Sequence, residues 1–283
     1  MTTARDLSAR CVTETVRELF LTANTVLPAD VLAALEGAGE RETNGLGRYV
    51  LERILENARV AHEEGMPLCQ DTGLAVVFLE IGQDLHIVGG DLETAVQQGV
   101  RQAYRDGFLR ASVCDPLTRL NTGDNTPAIL HTEIVPGDRL RITVLPKGGG
   151  SENMSSVTML VPAAGEAGIR AHVLDRVRQA GPNPCPPVIV GVGIGGSLDQ
   201  APVLAKQALL RPVGRPHPTD ARLAAMEAAL LEEINRLGIG PQGYGGEVTA
   251  LAVHIEMRPC HIACLPVAVN LQCHAARHRT AIL

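Results

Sequence analysis

The chain has 283 residues, with 25 Lys and Arg against 31 Asp and Glu and a net charge of −6. Its residues are 45% apolar and 20% charged, the proportions of a globular protein able to bury one or two cores. An acidic chain with three Phe, three Tyr and no Trp lacks both the basic surface and the stacking platforms that a nucleic-acid partner requires.

Residues 1–64 read as a helical layer. Val12, Val16, Leu19 and Phe20 recur at helical spacing, and Pro28 suits a first helical turn continued by Ala29 to Leu35. Asn44 can cap a third helix in which Val50, Ile54 and Ala58 share a face. Gly73 to Ile81 reads as a buried strand and Asp91 to Asp106 as a helix. Leu140, Ile142 and Val144 alternate with Arg139, Arg141 and Thr143, the pattern of a half-buried strand. Val188 to Val192 is an apolar strand, and Leu198 to Leu210 and Arg222 to Leu237 are helices. In Leu251 to Met257 the odd positions are apolar and the even ones include His254 and Glu256, a strand with one polar face. The mixture predicts a mixed α/β (α+β) fold, a helical N-terminal part at 1–64 followed by a mixed sheet with flanking helices at 65–283.

No run approaches the ~20 consecutive apolar residues of a membrane span. The start, Met1-Thr2-Thr3-Ala4-Arg5-Asp6, lacks the apolar core of a signal peptide. A cytoplasmic protein without a membrane partner is expected. In that reducing compartment Cys11, Cys69, Cys114, Cys185, Cys260, Cys264 and Cys273 are expected as thiols or metal ligands.

Three segments could carry chemistry. Gly191-Val-Gly-Ile-Gly-Gly196 formally fits a dinucleotide loop. However, Arg211-Pro-Val-Gly-Arg-Pro-His-Pro218 follows where a second parallel strand is required. A tight strand-to-helix turn that admits a ligand to the backbone fits better. The segment from Pro259 to His278 holds three Cys and three His, but without the paired knuckles of a zinc ribbon or finger, and Cys260 and Cys264 also read as core. Cys69-Gln-Asp71 lies in a loop between a helical region and a buried strand. There a thiolate can bind a soft metal centre while the Asp71 carboxylate moves a proton, or Asp71 simply closes a turn with its own backbone.

Six stretches together resemble the class I fumarases and the related L(+)-tartrate dehydratases, which are iron–sulfur hydro-lyases. They are Cys69-Gln-Asp-Thr-Gly73, Asn121-Thr-Gly-Asp-Asn-Thr-Pro127, Lys147-Gly-Gly-Gly-Ser151, Gly191 to Gly196, Gly240-Pro-Gln-Gly243, and His261 to Val267 with Asn270 to His278. They run in order from Cys69 to the end of the chain. The resemblance implies a 4Fe-4S cluster held by Cys69, Cys185 and Cys273, with one iron left without a protein ligand. Asp71 matches the residue that protonates the leaving oxygen. Gln70, Arg110, the Gly149 backbone and His261 match substrate contacts, and a guanidinium fork suits a carboxylate. His261 also reads as an ordinary polar residue beside a strand. Cys264 stands where relatives often have Ser, and Cys11, Cys114 and Cys260 match no ligand position.

Single-chain members carry a second domain with the catalytic base, which has no counterpart here. The chain is therefore expected to be an α subunit needing a separate β subunit, assembling as α2β2. The expected substrate is a small dicarboxylate, fumarate and (S)-malate ahead of L(+)-tartrate and oxaloacetate. A cluster-bearing sensor without catalysis is the competing reading.

Overall fold

The computed structural model describes residues 4–283. In chain order its elements are β1 (Arg5–Ser8), α1 (Ala9–Thr25), α2 (Ala29–Arg41), α3 (Gly45–Glu64), β2 (Leu74–Gly82), β3 (Leu85–Val88), α4 (Leu92–Asp106), β4 (Ile129–Val135) and β5 (Leu140–Lys147). There follow the single turn α5 (Gly149–Glu152), β6 (Ser156–Leu160), α6 (Gly165–Ala180), β7 (Val188–Gly196), α7 (Gln200–Ala208), α8 (Ala221–Asn235), β8 (Ala250–Cys260), β9 (Leu265–Gln272) and β10 (Arg279–Ile282). The fold is mixed α/β, as the alternation of patterns indicates. Short polar side chains fix the helix starts by accepting N–H groups that a first turn leaves unpaired. Asn44 Oδ1 accepts from Leu46 N at 2.9 Å and Gly47 N at 3.1 Å. Asp91 accepts from Thr94 N, and Asp220 from Arg222 N and Leu223 N. By length and composition Ala9–Arg41 is apolar enough to cross a bilayer. It is broken into α1 and α2, and α1 buries Val12, Val16 and Phe20 in a protein core.

Two compact units interleave along the chain. The first comprises the chain up to Pro28, Ala58–Gly149 and Arg277–Leu283. The second comprises Ala29–Asn57 and Gly150–Ala276.

In the first unit a sheet ordered β10-β5-β2-β4 runs β2 antiparallel to β5 and parallel to β4. Helices α1 and α4 supply Val12, Val16, Phe20, Val96 and Val100 to a core that also takes Leu140, Ile142 and Val144 from β5. The other face of β5 is covered too, since Thr143, Leu145 and Lys147 are buried, so this strand is more than half-buried. Residues 5–8, expected as helix, form β1 instead. Its partner is β3, parallel and distant in sequence, and no local periodicity reports such a pairing.

In the second unit the sheet is ordered β6-β9-β7-β8, with β7 parallel to β8 and antiparallel to β9. One face carries Val188, Val190 and Val192 against Val173 and Val177 of α6 and Leu230 and Ile234 of α8. The other face meets α7. Gly191 to Gly196 is not the expected turn. It continues β7, and Gly191 and Gly193 face α7. A Cβ at Gly191 would lie 2.1 Å from Ala205 O, and one at Gly193 would lie 2.0 Å from Ala201 O. Glycine at alternate positions therefore lets a helix lie directly on a strand backbone.

The polar face of β8 is also interior. His254 is buried with Nδ1 3.2 Å from Ala208 O at the end of α7. Burial, and then the charge of Arg211, push its pKa down to about 4. Glu42 is fully buried as well. Its carboxylate accepts from Asn44 N at 2.9 Å, Glu247 N at 2.9 Å and Val248 N at 3.0 Å, joining the α2–α3 turn to the approach to β8.

Candidate active site

The loop from Cys69 to Gly73 leads into β2 and is shaped from both ends. Asp71 N donates to Cys69 Sγ at 3.4 Å, and Gln70 Oε1 lies 3.4 Å from the same sulfur. Asp71 is half-buried, and its two carboxylate oxygens have separate partners. Oδ1 accepts from Gly73 N at 3.0 Å, the self-closing turn that Asp favours. Oδ2 accepts from Gly149 N at 2.7 Å. Both readings of Asp71 are thus compatible: the turn aims the carboxylate, and the Gly149 N–H fixes its far side.

The loop's own carbonyls are held by residues far away in sequence. Arg277, 1% exposed, donates from Nη2 to Asp71 O at 2.8 Å and from Nη1 to Asn24 Oδ1 at 3.1 Å. The buried Tyr104 hydroxyl lies 2.9 Å from both Thr72 O and Gly73 O, so its single hydrogen is shared between them. Burial keeps that phenol protonated by pushing its pKa well above the ordinary value, against the opposing charge of Arg277. Asn125 Nδ2 donates to Gly73 O at 3.0 Å, and its Oδ1 accepts from Ser112 N and Val113 N. Asn125 belongs to the Asn121–Pro127 motif, whose service to the loop is now visible. None of Arg277, Tyr104 and Asn125 was singled out from the sequence. Asn125 and Arg277 lie within two of the family-like stretches, and Tyr104 stands on the apolar side of a helix, where a hydroxyl must find a partner.

Arg110 is next to this loop, because its carbonyl accepts from Thr72 Oγ1 at 3.0 Å. Its side chain is exposed and forms no ion pair among the described residues. The first unit therefore brings together Cys69, Gln70, Asp71, Arg110 and Gly149.

The second unit brings Cys185 and Cys273 together. His274 N donates to Cys185 O at 3.3 Å, which seats Cys273 beside Cys185. Cys185 is exposed and sits at φ 57°, in the left-handed region that non-glycine residues rarely occupy. The Gly240–Gly243 motif clamps this corner. Gln242 donates from its backbone N to Pro186 O at 2.7 Å and from Nε2 to the same oxygen at 2.8 Å. His274 Nδ1 lies 3.0 Å from Gln242 Nε2 and 3.1 Å from Cys185 O, so it accepts from the first or donates to the second. His261 and Cys264 lie in the turn between β8 and β9. Cys264 N donates to His261 O at 2.8 Å, and His261 Nδ1 accepts from Ala263 N at 3.2 Å. The His261 ring is exposed.

No cysteine is in a disulfide among the described residues. Neither unit contains by itself, among its described residues, three or more His, Cys, Asp or Glu placed to hold a metal ion.

Comparison with known proteins gives the family. The family model described as fumarate hydratase (fumerase) matches residues 13–282. A Methanocaldococcus jannaschii protein, provisionally named as an L(+)-tartrate dehydratase subunit alpha, is 44% identical over 272 residues, covering 94% of this chain and 95% of its own. L(+)-tartrate dehydratase subunit alpha of Escherichia coli K12 is 34% identical over 276 residues, covering 96% of this chain and 90% of its own. The protein of the same name from Shigella sonnei matches to the same extent. With both the family model and these relatives matched along nearly its whole length, the chain belongs to the fumarate hydratase (fumerase) family of hydro-lyases.

Proposed function

We propose that this chain is the α subunit of a two-chain hydro-lyase interconverting fumarate and (S)-malate. The observation that carries the reading is Asp71. It is a carboxylate pinned on both oxygens by backbone N–H groups, two residues from a thiol. That arrangement suits a group delivering one proton along one direction.

Cys69, Cys185 and Cys273 are proposed to hold a 4Fe-4S cluster. The donor set suits the group. All three are outside disulfides, the Cys69 sulfur accepts a backbone N–H, and Cys185 is presented from a strained, exposed position. When bound, the cluster supplies an iron without a protein ligand, a Lewis acid for the substrate hydroxyl.

The chain's own residues then have defined tasks. Asp71 protonates the departing hydroxyl in dehydration and recovers that proton in hydration. Arg110 holds a substrate carboxylate with its guanidinium fork. Gln70 and His261 hydrogen-bond the substrate, and Gly149 holds Asp71. Removal of the carbon-bound proton is assigned to a β subunit, which also supplies further cations. The name "subunit alpha" carried by the relatives supports such a partner. We take the assembly to be α2β2 and cytoplasmic. L(+)-tartrate is the second reading, favoured by what the relatives' names say they act on.

The test is anaerobic isolation of the complex, with iron, sulfide and turnover measured for wild type, Cys69→Ser, Cys185→Ser, Cys273→Ser and Asp71→Asn. The expected result is about four iron and four sulfide per chain. Each Cys variant loses the metal, and Asp71→Asn keeps it while losing turnover on malate. Turnover on tartrate far above malate reverses the substrate. Activity in Asp71→Asn refutes the acid. An intact cluster without turnover on either substrate leaves the sensor reading.

A further inference from the structure

We infer that Asn270 and Gln272 form an internal binding site for one ordered water, which secures the end of β9 immediately before Cys273. The two residues are two apart on a strand and share one face. In the register with β7, Asn270 sits beside Gly191 and Gln272 beside Ile189, on the face that α7 covers. Asn270 is 6% exposed and Gln272 is 1% exposed.

Their polar atoms do not all find protein partners. Asn270 Nδ2 donates to Glu152 Oε2 at 3.3 Å, and Glu152 is also ion-paired to Lys206 of α7. Asn270 Oδ1, Gln272 Oε1 and Gln272 Nε2 are buried without a partner among the described residues. Buried amide groups are ordinarily satisfied, and three orphaned atoms at neighbouring positions on one strand face point to a shared ligand.

The donor and acceptor inventory names that ligand. The Asn270 amide is oriented by the Glu152 carboxylate, which only accepts, so Oδ1 is the atom left over. Turning the Gln272 amide over exchanges its two atoms but leaves one donor and one acceptor. The site therefore asks for two donors and one acceptor. A carboxylate or an inorganic sulfide only accepts, and a metal or ammonium cation satisfies only the oxygens. Water offers two donors and accepts, and three hydrogen bonds are typical of a buried water.

Gln272 is accordingly a positioning residue. On the adjacent stretch, Leu271 N donates to Ser155 Oγ at 3.2 Å. Side-chain bonds at 270 and 272 and this main-chain bond at 271 would together fix the strand end that carries Cys273. The water site does not depend on which reaction the protein catalyses.

A crystal structure of the full-length chain in its complex, at a resolution that shows ordered solvent, tests it first. One water within hydrogen-bond distance of Asn270 Oδ1 and both Gln272 amide atoms is expected. No density there, or density with the coordination of a cation, overturns the proposal. Gln272→Met then removes two of the three partners while keeping side-chain length. The folding equilibrium constant is expected to fall roughly five- to thirtyfold, and Cys273 to be alkylated faster relative to Cys11. If the amide were bare, Met would be the better buried side chain. A constant that is unchanged or higher therefore overturns the site. Should the variant fail to fold, the wild-type crystal structure decides alone.

Discussion

Gly193→Ala should be among the most damaging single-methyl additions in the second unit. The added Cβ would lie 2.0 Å from Ala201 O and 2.6 Å from Ala205 N, both backbone atoms of α7. Cβ contacts below 3.0 Å are essentially never seen, so α7 must withdraw by an ångström or more at this point. Rotamer changes cannot relieve it, since the obstacle is backbone. Withdrawal loosens Ala201, Leu204, Ala205 and Ala208, all buried under the helix. Overpacking a tight core costs about 1–3 kcal/mol, and a backbone obstacle puts this case at the upper end. Alanine returns roughly 0.4–1 kcal/mol by restricting the unfolded chain, leaving a net loss of about 2–3 kcal/mol. Gly39→Ala is the control. It lies in α2 with nothing within 4 Å of the added Cβ, and should stabilise by roughly 0.5–1 kcal/mol. Urea unfolding followed by far-UV circular dichroism measures both. If Gly193→Ala falls within about 0.5 kcal/mol of wild type while Gly39→Ala behaves as stated, the packing argument is wrong.

Other perturbations bear on the site and its supports. Tyr104→Phe should cost about 1–2 kcal/mol, because Thr72 O loses its side-chain donor while Asn125 keeps Gly73 O bonded. The Cys69 thiol should then alkylate faster, and an unchanged rate would contradict the role given to Tyr104. Glu42→Gln should destabilise by roughly 2 kcal/mol or more. It replaces a charged acceptor of three backbone N–H groups by an amide whose NH₂ faces donors, and equal urea midpoints would refute this. His254 has a folded-state pKa of about 4 against 6.5 for the ordinary group. The unfolded chain therefore binds the proton first. The stability this neutral imidazole contributes is complete above about pH 6.5, decreases as pH falls and is gone below about pH 4, with about 2 kcal/mol lost by pH 5. His254→Asn should flatten the stability profile between pH 7 and 5, and parallel profiles would rule the linkage out.

Much of the fold is legible in the sequence because the signals are local. The apolar run before Gly82 becomes β2, Asp91 caps α4 and Asn44 caps α3. The failures share a cause. β1 exists only because β3 lies beside it, and Gly191 to Gly196 stays a strand because β8 and β9 pair with it on either side. A glycine-rich string looks the same whether its missing side chains make room for a ligand, a turn or a helix. Only the register with α7 distinguishes them. His254 shows the reverse error, since alternation marks a polar face, but not whether solvent or a helix lies over it.

The site divides along the same line. Cys69, Asp71, Arg110, Cys185 and Cys273 are residue types whose chemistry can be read without coordinates. What holds them is not readable, because each support comes from a distant segment. Arg277 reaches Asp71 O, Tyr104 reaches Thr72 O, and Gln242 and His274 surround Cys185. Turn formation and the proton transfer proposed for Asp71 are likewise compatible. A carboxylate that only closed its own turn would use one oxygen. Here the second oxygen is held by Gly149 N, and Arg277 holds the residue's own carbonyl. Fixing both oxygens and the carbonyl removes the freedom of the side chain and its peptide, an ordering cost that the turn alone does not require. A group that must deliver a proton along one line does require it.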